Sequence, residues 1–132
     1  MAKIIFIGKI NQTNDIVSEI LQSSLNATVD FIVPSQFFLN KESVTRDNAE
    51  IIIYDLNTSH GYGNAPDNIK GIKKSSPDIP VLVLNNHADK RFIQPLIEAG
   101  ASGIISHTPT EAELFEAVSQ LMNGNTFTDC PD

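Results

Sequence analysis

The run Ile51-Ile52-Ile53-Tyr54-Asp55 decides the reading of this chain. Four consecutive apolar residues, three of them β-branched, suit a strand covered on both faces, and such strands belong to parallel sheets. The run ends in a carboxylate. In an open parallel sheet the ligand crevice lies beyond the carboxyl ends of the strands, so Asp55 stands where a site is expected.

Comparable runs occur at Ile4–Ile7, at Val29–Val33 with Asp30 interrupting, and at Val81–Leu84, with a weaker fifth at Gly103–Ser106. Between them the apolar residues take helical spacing. Ile16, Val17, Ile20 and Leu21 form one stripe; Leu114, Val118 and Leu121, flanked by Phe115 and Met122, form another. Alternating strands and helices specify an α/β domain, because parallel neighbours need a crossover that usually holds a helix. The expectation is a doubly wound, five-stranded parallel sheet of (βα)5 type. Residues 1–124 are read as one domain and 125–132 as a tail or linker stub, with a strap-like segment after Gly124.

Local punctuation sharpens two helices. Thr108 and Glu111 have capping-box spacing, Pro109 suits a first helical position and Asn123-Gly124 supplies a stop, which predicts a helix over about 109–123. The preceding helix ends at Gly100 but contains Pro95, which lacks the N–H that a helix interior needs. A start near Phe92–Gln94 would put the proline in the first turn, where it costs little.

The 132 residues, 41% of them hydrophobic, suffice for one core. The single cysteine, Cys130, has no internal disulfide partner, and no apolar run approaches the ~20 residues of a membrane helix. A cytoplasmic protein without membrane contact is expected. The formal net charge of -7 opposes direct binding to nucleic-acid phosphates, so any link to DNA would run through an additional output domain.

The rim positions follow from the strand ends: Gly8 and Lys9 after the first run, Asp55 after the third, Asn85 and Asn86 after the fourth, His107 after the fifth. Together with Asp55-Leu56-Asn57, Ile79-Pro80-Val81-Leu82-Val83-Leu84 and Ala99-Gly100-Ala101-Ser102-Gly103, they carry a family resemblance. Over residues 3–124 the chain resembles the receiver domains of bacterial response regulators, and over Glu98–Gly124 those joined to LuxR-type helix-turn-helix transcription factors. The resemblance implies two-component phosphorelay signalling rather than an enzyme. Its implied phosphoacceptor is Asp55 and its implied partners are a histidine kinase or other signalling protein, an effector domain of its own and a second copy in a homodimer.

Against the family pattern several positions depart. The acidic pair that would hold Mg²⁺ matches Gly8 and Lys9, the hydroxyl position matches Asn85, the lysine matches His107 and the aromatic switch matches Ile104. One carboxylate is a poor site for a hard octahedral cation, and Lys9 brings a like charge. No bound cofactor or metal is therefore expected, and phosphorylation should be slow, since phosphoryl-transfer catalysis is mostly positioning and electrostatics.

Three functional readings stay open on the residues. Lys9 pairs with Asp55 and fixes one conformation; or Asp55 is phosphorylated with Asn85 as donor and Asp15 or Asp89 as a substitute metal ligand; or the altered pocket takes a small ligand. His60, His87 and His107 match no metal-binding spacing. Plainer roles exist too. Asp55, Asn85 and Asn86 suit turns, His107 suits a loop despite a reference pKa near ~6.5, and His60-Gly61-Tyr62-Gly63-Asn64 reads as a connection.

Overall fold

A computed structural model of the chain describes residues 3–8, 12–32, 49–55, 65–75, 77–85, 90–106 and 109–128. Its strands are β1 (Lys3–Ile7), β2 (Thr28–Ile32), β3 (Ile51–Asp55), β4 (Val81–Asn85), β5 (Gly103–Ser106) and β6 (Phe127–Thr128). Its helices are α1 (Gln12–Leu25), α2 (Ala65–Ser75), α3 (Lys90–Ala99) and α4 (Glu111–Met122). All strands pair in parallel, in the order β2-β1-β3-β4-β5-β6. The five expected strands are present in one doubly wound sheet. Phe127–Thr128, read from sequence as part of a tail, adds a short sixth strand at the edge beside β5.

The continuous apolar runs are explained by two covered faces. Ile5, Ile7, Ile52, Tyr54, Val81, Val83 and Ile104 pack with Ile69 and Ile72 of α2 and Ile93, Leu96 and Ala99 of α3. Ile4, Phe6, Ile51, Ile53, Leu82, Leu84 and Ile105 pack with Val17 and Leu21 of α1 and Leu114, Ala117, Val118 and Leu121 of α4. Successive strand residues point to opposite faces, so neither face can be polar. Burying each large aliphatic side chain contributes roughly 1.5–3 kcal/mol, which makes these two layers the main source of stability.

Three helix expectations need correction. α4 starts at Glu111 and its N-cap is Thr110, whose Oγ1 accepts from the Glu113 N–H at 3.1 Å. The sequence holds two overlapping capping boxes, Thr108/Glu111 and Thr110/Glu113, and the second is used. α3 starts at Lys90, not near Phe92–Gln94, and keeps Pro95 inside. Pro95 faces solvent, where water can satisfy the carbonyl that it leaves without a helical donor, while Ile93, Leu96 and Ala99 anchor the opposite side. In α1 the inward residues are Asn14, Val17, Ser18 and Leu21. Ile16, assigned to the core stripe from sequence, is 50% exposed.

Helix ends follow the residues that can take a left-handed backbone. Asn26 (φ 52°) closes α1, with the Ala27 N–H returning to the Leu21 carbonyl at 3.4 Å. Gly100 (φ 120°) closes α3, and a Cβ there would stand 2.8 Å from Cγ of Lys73 on α2. Among the described residues no helix is long and apolar enough to cross a membrane.

Candidate functional site

The chain leaves β1, forms β2 at one edge and returns past β1 to build β3 and the rest of the sheet. The strand order therefore reverses between β1 and β3, the place where an open α/β sheet presents its crevice. Gly8 follows β1 there, and Asp55 is the last residue of β3. Both are buried, Asp55 at 4% exposure.

Asn14, in the first turn of α1, completes the arrangement. It is 1% exposed, and its Nδ2 donates to Asp55 Oδ2 at 2.9 Å. The absence of a side chain at position 8 leaves that contact uncrowded. A Cβ on Gly8 would lie 3.0 Å from Phe6 Cε1, 3.1 Å from Asp55 Cβ and 3.2 Å from Asn14 Nδ2. Contacts this tight must displace a neighbour, so Gly8 leaves the space through which an amide reaches the carboxylate. A buried hydrogen bond to a charged acceptor is worth more than a neutral one, roughly 1.5–3 kcal/mol.

Sequence reasoning missed Asn14. Its signal was a polar residue on the buried row of α1, at i, i+3, i+4 and i+7 with Val17, Ser18 and Leu21. Behind Asp55, the fully buried Tyr54 accepts from Asn68 Nδ2 of α2 at 3.0 Å through its hydroxyl. That bond ties the strand end to the helix on the other face.

Of the other expected rim residues, Asn85 ends β4 opposite Ser106 of β5. Lys9, Asn86 and His107 lie outside the described residues, as do Asp89, His60 and His87. Ile104, matched by resemblance to the switch position, is 2% exposed within the core layer under α2 and α3. Asp15, considered as a metal ligand, is exposed on α1. Among the described residues no three His, Cys, Asp or Glu side chains come together as a metal site.

A cavity of about 490 Å³ lies at the opposite end of the sheet, bordered by Glu50, Pro80, Ser102 and Thr126 near the strand starts. Lys73 borders it and donates to the carbonyls of Ile79 at 2.8 Å and Pro77 at 3.1 Å. Burial pulls the Lys73 ammonium below its usual pKa, and Asp78 opposes part of that shift.

No family model matches the chain. Among curated proteins it is 29% identical over 83 residues to the glycerol metabolism activator of Pseudomonas putida, a match covering 61% of this chain and 36% of that protein. The matched segments span little more than a third of the curated relatives. Among solved structures it resembles the non-phosphorylated receiver domain of the stress response regulator RcsB from Escherichia coli, with a TM-score of 0.80, 20% identity and 99% and 98% of the two chains covered. It resembles a LuxR family DNA-binding response regulator from Silicibacter pomeroyi with a TM-score of 0.78 and 19% identity, covering 96% of each. These structural neighbours are response regulators, and the doubly wound parallel fold of this chain is that of their receiver domains.

Proposed function

We propose that this chain is an atypical receiver domain in two-component signalling, a regulatory protein-interaction module whose state is not set by Mg²⁺-dependent phosphorylation of Asp55. The observation that carries the reading is the buried Asn14–Asp55 hydrogen bond packed against Gly8. Mg²⁺ wants near-octahedral oxygen coordination. The described pocket offers it one carboxylate, one of whose oxygens already accepts from Asn14. A carboxylate side chain at position 8 would have to start from a Cβ only 3.1 Å from that of Asp55. The described residues do not fit the metal. Without it, nothing among them neutralises the charge that develops when a phosphoryl group reaches Asp55.

The likeness to a LuxR family regulator supports coupling to a DNA-binding output domain. A net charge of -7 assigns any DNA contact to that domain rather than to this one. A kinase or another signalling protein then acts on the module by binding it, and the buried Ile104 favours one arrangement of β5 over a two-state aromatic switch.

Intact-mass measurement after incubation with acetyl phosphate and Mg²⁺ tests the reading. The expected result is no phosphoryl adduct in the wild type. An adduct that forms readily and disappears in Asp55→Asn would establish ordinary phosphotransfer instead.

A further inference from the structure

We infer that residues 124–128 form a latch, a strap docked on the edge of β5 that opens and closes independently of the rest of the sheet and so sets the direction in which the chain leaves it. This goes beyond the chemistry of Asp55 and stands whether or not that residue takes up phosphate. The docked state is built from few parts. α4 stops at the C-cap Asn123, and Gly124 (φ 85°) turns the backbone back on the helix. The Asn125 N–H donates to the Gln120 carbonyl at 2.9 Å and Asn125 Nδ2 to Gln120 Oε1 at 2.8 Å, which fixes the turn against the last helical turn. The Phe127 N–H then donates to the Ser102 carbonyl at 3.1 Å, in the parallel register Gly103–Phe127 and Ile104–Thr128. The Phe127 side chain is partly buried against the core layer under α1 and α4.

Position 103 admits the strap. A Cβ on Gly103 would stand 2.8 Å from the Phe127 carbonyl oxygen, 3.0 Å from Leu82 Cδ1 and 3.3 Å from Leu121 Cδ1. The nearest of these atoms is backbone and cannot swing aside as a side chain can, so a larger residue must push the strap off its seat. The φ of Gly103 is not positive, so the glycine serves close approach rather than a turn. Two further observations make the strap a latch rather than a full strand. Its ladder is two residues long and its anchors are one partly buried ring and one exposed amide pair, a small return for ordering five residues and one that favours local opening well short of global unfolding. Its first half has open space beside it: Gly124, Asn125 and Thr126 border the cavity of about 490 Å³, and a Cβ on Gly124 would meet nothing within 4 Å. Gly124 is the hinge.

Native-state amide hydrogen exchange on the full chain, followed by magnetic resonance in water and in low urea, tests the latch. The Phe127 amide should be protected, but at least about tenfold less than that of Ile53 in the centre of the sheet, and with little urea dependence because opening exposes little surface. Gly103→Ala should lower protection at residue 127 by about tenfold or more and leave Ile53 protected. Phe127→Ser, which leaves position 103 untouched, should do the same, and it serves if Gly103→Ala does not fold by circular dichroism. A nitroxide on Cys130, the one cysteine of the chain, reads the exit: it should broaden a fixed set of amides along β5 in the otherwise unaltered chain and lose that selectivity in both variants. An unprotected Phe127 amide in the wild type would show that the strap is not docked and overturn the inference. Exchange of Phe127 in step with Ile53 across urea would make β6 an integral strand and overturn it too, as would protection or broadening that persists in both variants.

Discussion

Around the carboxyl ends of β1 and β3 the chain closes on itself, with Asp55 4% exposed and Asn14 1% exposed, whereas a cavity of about 490 Å³ stands at the amino ends of the strands. Each end turns on a glycine, for different reasons. At Gly8 the constraint is space, since a Cβ there would crowd Phe6, Asp55 and Asn14 at 3.0–3.2 Å. Gly100 is required by backbone, since its φ of 120° is one that side chains rarely adopt, and the Lys73 stem passes beneath it. The difference teaches that, among the described residues, the carboxylate at the crevice end is engaged by a neighbouring helix while the amino ends border open space.

The comparison breaks first at Gly8. Gly8→Ala should destabilise by about 2–3 kcal/mol in denaturant unfolding, because a tight core site must shift to admit the methyl group. Combining it with Asn14→Ala should cost less than the sum of the two single variants, since they share one contact. Gly100→Ala should cost about 1–2 kcal/mol. There Lys73→Ala should give little rescue, because the backbone conformation, not the flexible lysine stem, is the main obstacle. Equal rescue at both ends would erase the distinction between space and backbone.

Smaller effects sharpen the contrast. Tyr54→Phe removes the hydroxyl that accepts from Asn68 and should cost about 1 kcal/mol, read as a lowered thermal midpoint. The weakest effect belongs to Lys73. Its folded-state pKa lies below the ordinary lysine value of 10.5, so between the two values the unfolded chain binds more protons and stability rises with pH. The burial penalty is present below the folded pKa and is relieved as pH approaches 10.5. Wild type should therefore gain slightly on Lys73→Gln in unfolding measured across alkaline pH.

The sheet was legible because Ile4–Ile7, Ile51–Tyr54 and Val81–Leu84 are continuous and two faces bury them. Asp55 was legible for the same reason, as the carboxylate ending such a run. The phase of α1 was not, because Ile16 and Ile20 imitate a core stripe while the inward row includes the polar Asn14 and Ser18. That one-residue rotation concealed the partner of Asp55. Two overlapping capping boxes moved the start of α4, and the two-residue β6 is too short to leave a period. Pro95 argued for a shorter α3, but three anchored apolar residues outweigh one lost hydrogen bond.

The most direct test of the pocket is a Mg²⁺ titration of the wild-type chain followed at the amide resonances of Gly8, Asn14 and Asp55. No saturable shift is expected at millimolar metal, because the one carboxylate of the described pocket is engaged by Asn14. Saturable shifts at these three residues, abolished by Asp55→Asn, would show a working metal site and contradict it.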